Sequence, residues 1–187
     1  MSAPWWIALV LVLFVLSMVA VVVARRIDRL HRQVLRSRRA LEYALTARAQ
    51  YAHDFAVSGA LDIAGAVLLA DAADTCLREG MLPIVDDGLD ALLPVTPPES
   101  PGDRRSLESD LSRTLRLTVD EMDPEEKTGA GSLAERLERA RLDVRMTRSF
   151  HNSHVDQIRR LRRNPLARLL HLAGNAPLPV TVDIDDE

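Results

Sequence analysis

The sequence predicts an all-α protein, with an N-terminal transmembrane helix followed by an antiparallel helical bundle of about four helices. Three observations lead there. Residues 1–24 contain no charged side chain. Beyond them, apolar residues recur at helical spacings of three, four and seven. Aromatic residues are only 4% of the chain, with two tyrosines, so the residues that build β-sandwiches and barrels are scarce.

The first element, residues 1–24, reads as a membrane anchor. Residues 5–24 (WWIALVLVLFVLSMVAVVVA) carry Ser17 as their one polar side chain. Twenty helical residues rise about 30 Å, the thickness of a bilayer core. Trp5 and Trp6 stand where an interfacial aromatic belt would, and Ala24 closes the span before Arg25. A cleaved signal peptide would need a basic leader and a shorter apolar core. Residues 25–39 hold seven arginines (Arg25, Arg26, Arg29, Arg32, Arg36, Arg38, Arg39) against Asp28, a net +6. The positive-inside rule then places the N-terminus outside and the rest in the cytoplasm, at the inner leaflet of the plasma membrane, with the bilayer as one partner. A single cysteine, Cys76, excludes an intramolecular disulfide framework and suits a reducing compartment.

Subtracting that +6 from the chain's −3 leaves −9 for residues 40–187. With 27% charged residues and a net charge of only −3, nucleic acid is not an expected partner. A basic juxtamembrane and stalk helix is expected over 25–58, with Ile27, Leu30, Val34, Leu41, Leu45, Ala52 and Phe55 on one face. A second helix follows over 60–80, packing through Leu61, Leu68, Cys76 and Leu77 and stopped by Gly80. Residues 81–102 hold five prolines and two glycines and read as a linker, with a short turn of helix expected near Leu89–Leu93. The remaining bundle helices fall in 103–174. One starts at Ser100-Pro101, buries a stripe of Leu107, Leu111, Leu115, Val119 and Met122, and ends at Pro124. A long one opens at a capping box, Ser132 to Glu135, and runs to Arg163. A short one begins at Asn164-Pro165, bears Leu166, Leu169, Leu170 and Leu172, and stops at Gly174. Residues 175–187 form an acidic, extended tail with Asp183, Asp185, Asp186 and Glu187.

Phosphate-binding loops, dinucleotide fingerprints, nucleophile elbows and zincin motifs are all missing from the sequence. No catalytic residue and no cofactor or metal site is therefore expected. His151 and His154, with Asp156 nearby, have a spacing that could hold a metal. However, His151 falls at the centre of the stripe formed by Leu133, Leu137, Ala140, Val144, Val155 and Ile158, where a histidine belongs to a core. On the same helical wheel Arg141, Arg145, Arg148, Asn152, Arg159 and Arg163 fall within about 60° of one another. Few acids interleave along this ridge, so it should seek acids elsewhere, on Glu108 or on a partner protein.

The run Arg148-Ser-Phe150-His151-Asn152-Ser-His-Val155 resembles the R-x-[FY]-Y-N-x-x-V motif of LemA-like membrane proteins. Glu108-Ser-Asp-Leu111-Ser112-Arg-Thr-Leu115 is similar to their A-E-x-x-L-S-x-A-L helix, and residues 40–48 match their stalk. The chain has His53 and His151 where the family has proline and tyrosine. Across residues 5–165 the resemblance implies an N-out, single-pass protein with a cytoplasmic antiparallel helical bundle and no established catalysis. The expected function is thus a non-catalytic interaction or scaffold protein, the alternative being a membrane-tethered, metal-dependent hydrolase using His151 and His154.

Overall fold

A computed structural model describes residues 3–85, 87–88, 103–123, 125, 131–165, 168 and 176–186. Among these residues the regular structure is helical and no strand occurs. Helix α1, Ala3–Ala56, is one unbroken rod of 54 residues. Its first part is apolar on every side and exposed from Trp5 to Val22, except for a half-covered Ala20. Its most apolar stretch has a mean hydropathy of 3.2, and it is the one described helix long and apolar enough to cross a membrane. From Ile27 onward the same rod becomes one-sided, burying Leu30, Val34, Leu41, Leu45, Ala52 and Phe55. This is where the sequence changes from lipid-like to amphipathic. The rod ends in a turn at Gly59, whose φ of 81° suits a residue without a Cβ.

Helix α2, Ile63–Arg78, is capped by Asp62, whose carboxylate accepts from Gly65 N at 3.1 Å. It starts three residues later than the sequence suggested, because the Asp62 cap has extended backbone. It buries Leu69, Ala73 and Cys76, whereas the expected Leu68 points outward. A 3₁₀ turn, Glu79–Met81, carries the chain past Gly80. The next segment is not all linker: Ile84 and Val85 are buried in the core. The suggested turn at 89–93 lies outside the described residues.

Helix α3, Arg104–Leu115, begins after Asp103, which is extended and accepts from Arg105 N. A helix already running from Ser100 would have to pass through that extended residue, so the expected start is corrected to Arg104; Ser100 and Pro101 themselves lie outside the described residues. α3 continues as a π-helical turn, Arg116–Asp120, that buries Val119. Helix α4, Ser132–Arg162, starts from Gly131, which has φ 57°. The expected capping box does not form. Ser132 is the first helical residue rather than the cap, no side chain caps the end, and Glu135 pairs instead with Arg139 at 3.0 Å. The last predicted helix falls mostly outside the described residues, as do Leu166, Leu169, Leu170, Leu172 and Gly174.

Three apolar clusters run along α1. Leu30 and Val34 meet Val155 and Ile158 of α4. Leu41, Ala44 and Leu45 meet Val144 together with Ile84, Val85, Val182 and Ile184. Ala49, Ala52, Phe55 and Ala56 meet Leu69, Ala73 and Cys76 of α2, Leu111 and Leu115 of α3, and Leu137 of α4.

Candidate functional site

The arginine ridge of α4 is occupied, and its occupant is the chain's own C-terminal segment. Arg148 makes a two-pronged ion pair with Asp186, Nε to Oδ2 at 2.9 Å and Nη2 to Oδ1 at 2.6 Å. The Asp186 side chain is only 3% exposed, so the pair is shielded from water and its fork geometry counts. Arg145 donates from Nε to the Asp186 carbonyl at 3.0 Å. Asn152 clamps Val182 from both sides, donating to its carbonyl and accepting from its N–H, each at 2.9 Å. Arg159 reaches the carbonyl of Pro179 at 3.0 Å, and Arg162 that of Pro177 at 2.8 Å.

Two members of the predicted ridge stand apart. Arg141 is buried and turns to Asp120 and Glu138, at 2.7 Å each. Its pKa is raised further, first by the hydrogen bond to Asp120. Arg163 is exposed. The acid suggested by sequence was also wrong: Glu108 pairs with neither Arg145 nor Arg148. It is buried against Arg48, with Nη2 to Oε2 at 2.8 Å, and lies 3.6 Å from Arg104 Nε. Arg48 further donates to Ser112 Oγ at 2.9 Å and to the Glu108 carbonyl at 3.1 Å.

The segment is held from other elements too. Arg116 forks onto Asp185 at 2.9 and 3.3 Å, holding that carboxyl below the usual range. Ser109 Oγ accepts from Asp185 N at 3.2 Å. Asp87 accepts from Val180 N at 3.2 Å and is itself forked by Arg38. Arg38 therefore leaves the juxtamembrane block: its guanidinium is buried, 1% exposed, because Asp87 waits on the packed side of α1. Arg25, Arg26, Arg29, Arg32, Arg36 and Arg39 remain exposed, with Arg32 paired to Asp28 at 2.6 Å.

His151 is fully buried, its Nδ1 at 3.1 Å from Ser37 Oγ of α1. Burial, and next the charge of Arg38, push its pKa down; the Val180 carbonyl and Asp87 oppose this. His154 and Asp156 do not join it, and among the described residues no group of three His, Cys, Asp or Glu could hold a metal. Cys76 is buried, and its thiol is pushed up to about 12, mainly by desolvation. It is a core residue rather than a nucleophile.

Of the residues quoted for the resemblance, Arg148 and Asn152 hold the tail, Glu108 and Ser112 meet Arg48, and Val155 lies in the core, while Phe150 is exposed. Comparison with family models, curated proteins and solved structures finds no match to this chain.

Sequence reasoning missed the docking of the tail. Two signals were present: valine and isoleucine alternate at 180, 182 and 184, and a ridge lacking acids shares the chain with a tail rich in them.

Proposed function

We propose that this chain is a non-catalytic, membrane-anchored interaction or scaffold protein of LemA-like type. It crosses the plasma membrane once, N-terminus outside, and carries an antiparallel helical bundle at the inner face. The observation supporting this most is the continuity of α1: one rigid rod is exposed and apolar over its first half and the central packing partner of α2 and α4 over its second. A rod without a hinge fixes the packed domain against the bilayer. The antiparallel arrangement is supported by the order of the clusters, in which rising positions on α1 meet falling positions on α4. A surface that meets proteins, rather than one that transforms a small molecule, is supported by the ridge, whose chemistry is peptide recognition.

The test is a crosslinking pull-down of the full chain from native membranes, with metal analysis of the purified protein. The expected result is that the chain stays in the membrane after alkaline extraction and brings a defined protein with it. Stoichiometric zinc, iron or manganese that disappears on His151→Ala would overturn the reading in favour of a metal-dependent hydrolase.

A further inference from the structure

Residues 176–186 form no helix or strand, and yet they are held closely. From Val182 onward burial alternates: Val182, Ile184 and Asp186 point inward, while Asp183 and Asp185 point out. The backbone polar groups are met by side chains, of the helices and of Asp87, rather than by a ladder. Asn152 binds both the N–H and the C=O of Val182, and Arg159 binds the Pro179 carbonyl. An amide that grips one residue's donor and acceptor reads an extended backbone whatever its sequence. Selection is then left to seats for alternate side chains and to charge. Those seats are present here: two apolar ones beside Leu41, Leu45 and Val144, and a carboxylate seat on Arg148.

We propose that this track along α4 is a binding site for an extended acidic segment of a partner protein, patterned apolar–x–apolar–x–carboxylate, and that residues 177–186 are its resident intramolecular competitor. The proposal rests on the interaction-protein reading above and names its partner chemistry. Charge complementarity argues for this occupant: the arginines of the track face carboxylate and carbonyl oxygens throughout. The resident segment follows the last described helix, so its departure interrupts none of α1 to α4. A polar groove of about 500 Å³ runs beside it, lined by Ser149, Ser153, Asp156 and Arg160 along with Arg148 and Asn152. That gives a longer occupant room to continue.

A tethered competitor acts at an effective concentration on the order of millimolar, so a free peptide must be read against it. The full chain in lipid nanodiscs, carrying Met146→Cys and Asp183→Cys at exposed positions, is labelled with a donor and acceptor dye. Buried Cys76 does not take label. The probe is a synthetic peptide of residues 177–187. It should lower energy transfer as it displaces the tail, and a scrambled peptide should not. Asp186→Asn in the tail should reduce the peptide concentration for half-displacement at least tenfold. Adding Arg148→Ala should remove the preference for this peptide over one carrying asparagine in place of Asp186. The titration of the otherwise unaltered tail stands even if a variant misfolds. No displacement at millimolar peptide would overturn the proposal, and with partner co-purification intact it would overturn this site alone. Energy transfer between separately labelled copies would overturn it in favour of tail exchange with a second copy.

Discussion

At the scale of single residues, His151 makes the most direct prediction. It lies fully buried among Ser37, Arg38 and the tail, in a place that suits the neutral ring. Its folded pKa is lowered, whereas in the unfolded chain it returns to the ordinary value of about 6.5. Above that pH both states hold a neutral ring, and its contribution to stability is complete. As pH falls below it, the unfolded chain takes up a proton that the folded chain resists, so stability declines until the lowered folded value is passed. Carboxylates lose their native pairs mainly at lower pH, which separates the two effects. Urea unfolding of the full chain in detergent should therefore show a lower midpoint at pH 5.5 than at pH 7.5. His151→Asn, which can keep a partner for Ser37, should remove most of that difference whatever it does to the absolute midpoint. An equal fall in the variant would place the titrating group elsewhere.

At the scale of elements, the joint between α1 and α3 depends on charge as well as on packing. Arg48 and Glu108 are about as buried as any leucine nearby, 2% and 1% exposed. Their worth lies less in the pair itself than in the cost of leaving one member alone in a water-poor place. Arg48→Met should lower unfolding free energy by about 3–5 kcal/mol, since Glu108 then keeps only the longer contact to Arg104. Arg48→Met with Glu108→Gln should cost clearly less than the two single changes added together, because the stranded charge is gone. Additive losses in chemical denaturation would show that the two do not act as a unit. This joint also marks how far the sequence could be read. The stripes of α1, α3 and α4 were legible because burying one face of a helix imposes a period of 3.6 on side-chain polarity. Arg38 and Arg48 were not, since an arginine has the same appearance in sequence whether it faces water or a distant Asp87 or Glu108. Nor was the start of α4, where a positive-φ Gly131 displaced an otherwise sound capping box. The tail was half legible: its extended form and its acids could be read, but not its seat. The backbone part of that seat leaves no mark on side-chain sequence, and the marks left by its apolar and carboxylate parts do not say which helix receives them.

At the scale of the whole molecule, orientation follows from where charge collects relative to the apolar rod. The exposed arginines 25, 26, 29, 32, 36 and 39 follow the apolar stretch of α1 directly. Because Val155 and Ile158 pack on Leu30 and Val34, the C-terminal end of α4 comes to the same level, bringing the exposed Arg160 and Arg163 with it. The end of the packed domain nearest the apolar stretch of α1 is therefore basic on two helices, a concentration the linear count along α1 understates. Each arginine near anionic headgroups contributes about 1 kcal/mol, and retention of lysine and arginine on the cytoplasmic side sets topology. A reporter active only in the cytoplasm, joined after Glu187 by a flexible linker so that Asp186 can keep its seat on Arg148, should be active. A reporter active only outside should be silent at the same junction, and should become active when a block of arginines is placed ahead of Trp5. Exchanging the six exposed arginines of α1 for serine should weaken the bias without abolishing it, because α4 retains its own basic end. Activity of the outside reporter on the unaltered chain would place the helices on the other face of the membrane. The arginines would then require a different partner than the inner leaflet.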